Sequence, residues 1–276
     1  MGAILGFRYD QYNKYHRFVR SVLIVIASLS LFTLAWWAVA MAGLFETIPL
    51  PQDTISALCA LIVDGDPVSG LSLQSQIVSS LKTFAKGTVL ALVISIPLGL
   101  LLGYVKPLRE LATPIIEVLR PIAPIAWAPI FIATRALGYT WGPALVVFMG
   151  MLFPLLTSTI FGVQRIDSSW IDASKTMGAN KVQIFYKVIF PSSVPFILNG
   201  LKTALGIGWM CIVAAEIYTT SLGGIGYFVY EMSTVFYWDY AFAGIIVIAV
   251  LGLLTTGVAE QVSKYVSKKM GVNDGG

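Results

Sequence analysis

Long apolar runs separated by short polar stretches give this chain its pattern, and their lengths can be set against the thickness of a bilayer. Residues 21–45 carry no charge, and a helix needs only about 20 apolar residues to cross a hydrocarbon core of about 30 Å. Further runs cover 81–104, 111–136, 143–162, 193–219 and 240–259. They predict an all-α, polytopic integral membrane protein with about six transmembrane helices.

The runs differ in kind. The third is broken by Pro114, Pro121, Pro124 and Pro129. Proline removes helix hydrogen bonds, which lipid tolerates only where protein or a wet cavity supplies replacements, so this run is expected to line something. The fifth contains Gly206 and Gly208, which permit close helix approach, together with Lys202 and Glu216.

The polar stretches set the orientation. Residues 1–20 interleave Arg8, Lys14, Arg17 and Arg20 with Phe7, Tyr9, Tyr12, Tyr15 and Phe18, a mixture suited to the headgroup zone. Residues 46–80 contain Glu46, Asp53, Asp64 and Asp66 and no lysine or arginine. Positive loops stay inside, which predicts a cytoplasmic amino terminus and an external 46–80 loop, with a short surface helix at 54–63. Lys264, Lys268 and Lys269 return the chain to the cytoplasm. The expected organisation is an interfacial segment 1–20, one transmembrane domain 21–265 and a cytoplasmic tail 266–276.

One polar interruption, residues 165–191, separates the fourth and fifth runs. Ser169 followed by Asp172 has the form of a capping box that starts a helix. Gly178 suits its end, Asn180 with Gln183 suits the start of a second helix, and Pro191 suits the first turn of whatever follows. Trp170, Ala173, Ser174 and Met177 share one face of the first helix. A small-residue face on two short helices at the ends of spans fits a groove in a soluble partner, or packs on the chain's own spans.

Composition agrees with the pattern: 57% of the 276 residues are hydrophobic and 12% charged, too apolar for a soluble domain. The net charge of +4 comes from dispersed basic residues at the ends of runs and reads as topology, with no nucleic-acid partner implied. Cys59 and Cys211 imply no disulfide framework. The lone His16 lies in the polar amino-terminal segment, so no predicted span holds a histidine. That absence argues against intramembrane catalysis by a serine–histidine pair and against a histidine-held metal. No phosphate-cradling G-x-x-x-x-G-K-[ST] stretch is present. The chain is expected to be no enzyme, with no catalytic residue, no metal and no cofactor of its own.

The register Asp172, Ala173, Ser174, then Gly178, then Val188, Phe190 and Pro191 resembles the cytoplasmic motif of ATP-binding-cassette importer permeases. That motif reads glutamate, two alanines, three free positions, glycine, nine free positions, isoleucine, one free position, leucine and proline. Asp for Glu, Ser for Ala, Val for Ile and Phe for Leu are conservative departures. The phrases RPIAPIAWAP at 120–129 and GLKTALGIGWMCIVAAE at 200–216 are similar to the branch that handles nitrate, sulfonates, taurine and bicarbonate, although most members have two successive prolines where this chain has Ala123 and Pro124.

The resemblance implies the type I importer permease fold with cytoplasmic coupling helices, in the cell membrane. It implies a second permease copy, two ATPase subunits that bind ATP and Mg, and an external binding protein that delivers a small anion. Trp170, Asp172, Ala173, Ser174, Met177, Gly178, Val188, Phe190 and Pro191 would then couple the chain to the ATPase. Members of the branch carry different anions, so these phrases speak for family and not for solute. The rival reading is an ion-coupled carrier or channel that needs no ATPase, and no inverted repeat supports it.

Charges and bulky groups within the runs are candidates for the translocation pathway, because they must be paired or wet. Lys82, Lys86 and Arg135 near the outer side either attract an anion or anchor at the interface. Arg120 is three residues from Glu117 and is expected to pair with it. Lys202 is expected near the cytoplasmic side. Glu216 is expected to be partnered. Pro124 belongs to the broken helix, while Trp127 and Trp209 are expected to pack, or alternatively to close the pathway.

Overall fold

A computed structural model describes residues 14–43, 45–133, 141–219 and 223–269, with side chains from Val19 onward. The described residues are helical or irregular. The helices are α1 (Lys14–Met41), α2 (Pro51–Val63), α3 (Leu73–Tyr104), α4 (Lys106–Leu119), α5 (Ala128–Ala133), α6 (Gly142–Gln164), α7 (Ser168–Thr176), α8 (Lys181–Ile184), α9 (Phe190–Glu216), α10 (Ile225–Thr234) and α11 (Trp238–Lys269).

At the centre lies α6, packed between α3 and α9. Helices in lipid gain little from burying apolar surface, so close packing of small residues has to hold them together. On α3 the buried positions include Gly87, Ala91, Ser95, Gly99 and Gly103, a stripe repeating every fourth residue. A Cβ on Gly87 would lie 2.5 Å from the Ala144 carbonyl oxygen, and one on Gly99 would lie 2.6 Å from Thr159 Cβ. The rising numbers on both helices make α3 and α6 parallel. On the other side of α6, Gly200 abuts Ser158 and Gly208 abuts Met151, so α9 runs antiparallel.

Trp209 ties these helices to α11. Its ring stacks on Phe84 at 4.7 Å between centroids, and its Nε1 donates to Thr255 Oγ1 at 2.8 Å. Alternation along the chain brings the start of α1, the 165–191 segment and the end of α11 to one end of the bundle. The other end carries α2 and α10. There the α2 residues Thr54 and Leu61 are fully buried, against α11, so this helix is packed where the sequence suggested a helix lying on the surface.

Among the described residues, five helices are long and apolar enough to cross a membrane, or six when α4 and the segment Pro124–Ala133 are counted as one. That third run is not one kinked rod. Its two parts are bent by 86°, with the break at Ala123, which is extended (ψ 128) ahead of a 3₁₀ turn at Pro124–Trp127. A residue before proline is driven out of the helical region, and Ala123 obeys this. The inner part packs Ala128, Ile125 and Ile132 against Val146, Cys211 and Ala215, whereas α4 has no buried residue.

Other boundaries shift as well. The second span starts at Leu73 and not near Leu81, because Ser72 caps α3 by accepting from the Ser75 amide. The fifth forms one apolar helix over Lys181–Glu216. The expected loop 221–239 holds α10. Residues 266–269 of the expected tail continue α11 as its last turn, while residues 1–13 and 270–276 lie outside the described residues.

Candidate functional site

The polar interruption folds locally, and its helices are set by their caps. Asp167 caps α7 by accepting from the Ser169 amide at 3.0 Å. The cap is thus two residues earlier than the Ser169–Asp172 box suggested, and Asp172 instead pairs with Lys175 at 2.9 Å. Donation from the Ser169 amide, and then from its hydroxyl, holds the Asp167 carboxyl below its usual value of 3.8. A depressed carboxylate stabilises the fold above its unfolded pKa, and that contribution is lost as pH falls through the folded value. The contribution of the charged cap is therefore present at neutral pH and declines only in acid, as the carboxyl is protonated below its usual range. Asp167→Ala should speed amide exchange at Ser168–Trp170 at neutral pH, while Asp167→Asn, which can still accept, should not.

Gly178 ends α7 with φ +80, a left-handed conformation that favours glycine. Its amide donates to the Lys175 carbonyl at 2.9 Å and the Ala179 amide to the Ser174 carbonyl at 3.0 Å, closing a Schellman motif. Asn180 and Gln183 then form a reciprocal capping box. The second helix is not a separate stub. From Lys181 it passes through a π turn at Phe185–Ile189 directly into α9, where Pro191 lies in the first turn. The wider turn absorbs the donor that proline lacks. Val188, Phe190 and Pro191 therefore belong to the base of the fifth span.

The face at 170–177 divides. Ser174 is buried and donates its hydroxyl to the Trp170 carbonyl at 2.8 Å. Trp170 and Met177 are 66% and 80% exposed, with Ala173 exposed between them. Val182 and Tyr186 extend the exposed apolar surface along the next helix. Beside it a cavity of about 270 Å³ opens between Arg165, Trp170, Ser192 and Phe196, with the Arg165 guanidinium 4.8 Å from the Phe161 ring centroid.

At the opposite end, Glu216 is buried and accepts from Ser80 Oγ at 2.7 Å and from the Gly226 amide at 2.8 Å. Ser80 Oγ also accepts from the Ile225 amide at 3.0 Å. These are the first two amides of α10, whose own N-cap, Gly224, offers no side chain. The orphan donors at the start of α10 are thus satisfied by α9 and α3. Ser79, which donates to the Gly223 carbonyl at 3.1 Å, ties down the same turn. None of Ser80, Gly224 and Gly226 is marked as a site by the sequence: Ser80 is 136 residues from Glu216 along the chain, and the glycines take part through backbone alone.

The remaining pathway candidates do not converge on one site. Lys82 and Lys86 line a groove with Trp141. Trp127 stacks on Phe131 at 6.0 Å between centroids within the broken run that Pro124 opens, and Trp209 is core. Glu117 and Arg120 are both exposed and form no ion pair among the described residues; Arg120 is the C-cap of α4, just past its last helical residue Leu119. Lys202 lies within electrostatic reach of Glu260, which Lys264 bridges at 2.6 Å. Arg135 lies outside the described residues. No group of three or more potential metal ligands occurs among the described residues, and both cysteines are free.

A family model described as a binding-protein-dependent transport system inner membrane component matches residues 95–268. The chain belongs to this family. The permease is 30% identical over 237 residues to the taurine transport system permease protein TauC of Escherichia coli, covering 85% of each chain. It is 31% identical to the nitrate import permease protein NrtB of Synechocystis (79% of this chain, 80% of the relative). Against the bicarbonate transport system permease protein CmpB of the same organism the identity is 31% (81% of each). In fold it is similar to the inward-facing MetNI methionine ABC transporter, with a TM-score of 0.60 at 18% identity, over 70% of this chain and 95% of that one. The permease is thus a multi-pass inner-membrane subunit of an ABC importer, a class that works with an ATPase and a solute-binding protein. It is all-α and polytopic, as the apolar runs predicted.

Proposed function

We propose that this permease forms, with a second copy, the pathway for a small anion of the nitrate, sulfonate or bicarbonate class. An external binding protein delivers the solute, and two ATPase subunits dock on the 165–191 segment from the cytoplasm, where both termini of the chain also lie. ATP and Mg bind those subunits, and this chain performs no chemistry of its own.

The observation that carries this reading is the exposed Trp170–Ala173–Met177 face on a helix fixed at both ends by caps. An exposed apolar face on a rigid, solvent-facing projection is the usual mark of a protein interface. The helix after it continues into α9, which packs on α6, so a push on this face reaches the centre of the bundle without a flexible joint. The names of the relatives support an anion, since taurine, nitrate and bicarbonate transporters all match over most of the chain.

Uptake into proteoliposomes should require the co-expressed ATPase and ATP, and uptake by the chain alone would refute the proposal in favour of a self-sufficient carrier. Two substitutions test the coupling face. Gly178→Pro removes a donor in use and demands φ near −65° where the chain has +80. Ala173→Trp puts bulk in the centre of the face. Both should lower ATP-driven uptake about tenfold or more while the chain remains in the membrane, because the loss of a well-fitted contact at an interface centre costs about 2 kcal/mol or more. Labelling of Lys175 and Lys181 from outside intact cells would contradict the orientation.

A further inference from the structure

Near the end of α3 closer to α10, Lys82 and Lys86 stand one helical turn apart, and Val89 and Val93 continue their face. No carboxylate pairs with either lysine among the described residues. Lys86 Nζ lies 5.6 Å from the centroid of the Trp141 ring, which holds the ammonium on one wall of a groove of about 620 Å³. Apart from the two lysines, the described residues lining the groove are all aliphatic or aromatic: Ala85, Val89, Leu90, Val93 and Trp141.

Charge and lining point to different parts of one ligand. Two neighbouring ammonium groups attract an anionic head. Besides the ammonium groups, the only donor on the described walls is the Trp141 indole N–H, so a bare, strongly hydrated oxyanion would give up more hydrogen bonds to water there than the groove replaces. An apolar tail against Val89, Leu90, Val93 and the indole, by contrast, removes hydrocarbon from water. We propose that this groove takes an organic anion with a short apolar tail, of the alkanesulfonate type, in preference to an inorganic oxyanion. It would hold the solute at the mouth of the pathway, with the head at Lys82 and Lys86 and the tail toward Val93. The assignment of this end as outer, and of the ligand as cargo, rests on the importer reading above.

An anionic phospholipid has the same chemistry, so the test controls lipid separately. The full chain is placed in nanodiscs of phosphatidylcholine alone. Reductive methylation of Lys82 and Lys86 by formaldehyde is followed by peptide mass spectrometry, with exposed Lys181 as the internal standard. Pentanesulfonate should slow both lysines about tenfold relative to Lys181, and nitrate at the same concentration less than about twofold. Trp141→Phe, which keeps an aromatic wall, should retain the protection, and Trp141→Ser should lose most of it. Equal protection by nitrate, no protection by pentanesulfonate, or protection that arises from phosphatidylglycerol in place of pentanesulfonate would each overturn the proposal. Neither ATP nor the ATPase enters this measurement. Failure of the importer reading would instead appear as ATP-independent uptake, with the labelling pattern unchanged.

Discussion

Gly87→Val should prevent assembly of the helical core, read as loss of a monodisperse species after mild detergent extraction. The Cβ that valine brings would lie 2.5 Å from the carbonyl oxygen of Ala144 and 2.7 Å from Cβ of Val147. One obstacle is main chain and the other is the stiff root of a β-branched residue, so neither can rotate away. Overpacking of a tight core costs about 1–3 kcal/mol even when side chains can shift, and here α3 has to separate from α6. Since α6 also carries α9 on its other face, the damage spreads to the element that holds Trp209 and Glu216. Gly206→Ala is the matched control, because a Cβ there meets nothing within 4 Å. Equal extraction yields and thermal stability for the two variants would refute the account of α3–α6 packing.

What was legible in the sequence was whatever depends on neighbours along the chain. Apolar run length gave the spans, and the caps at Gly178 and at Asn180–Gln183 could be read because each is complete within a few residues. The start of α7 is ambiguous for the same local reason: Asp167, Ser168 and Ser169 are all capping residues, and only geometry selects among them. Hydropathy also hid the bend in the third run. Four prolines mark it as irregular, yet Pro114 lies inside α4 and the break falls at Ala123–Pro124, so proline count does not locate the corner. The four-residue spacing along α3 is present in the sequence, but hydropathy scores Gly, Ala and Ser as filler and gives no weight to their size.

The two parts of the broken run have opposite surroundings. Its inner part is wedged beside α6 and α9, while α4 keeps its polar residues Arg109, Glu110, Thr113, Glu117 and Arg120 on one side. Arg109 secures the base of α4 by donating from Nη1 to the Gly103 carbonyl at 3.2 Å. The 86° corner therefore joins a segment packed in the core to a helix that buries none of its own residues.

Glu216→Ala should release α10, and this follows from where the partners of Glu216 come from. The carboxylate satisfies the Gly226 amide, and the Ser80 hydroxyl that donates to it also satisfies the Ile225 amide. Truncation leaves buried donors without acceptors, at about 1–3 kcal/mol for each group, in a turn that has no side-chain cap of its own. Neither glycine in this turn can be enlarged easily: a Cβ on Gly224 would lie 2.6 Å from Glu216 Cδ, and one on Gly226 2.6 Å from the Val213 carbonyl oxygen. The expected result is faster amide exchange across Ile225–Thr234, with the α3–α6–α9 core still protected, because α10 hangs on this cluster and the core does not. Glu216→Gln separates shape from charge. An amide oxygen can still accept from Gly226, and the Ser80 hydroxyl can turn to accept from the new NH₂, so protection of α10 should be largely retained. If Gln behaves like Ala, the negative charge and not the hydrogen-bond geometry holds α10. If Ala leaves α10 protected, the helix is kept by its apolar contacts at Phe228 and Met232, and the trans-capping account fails.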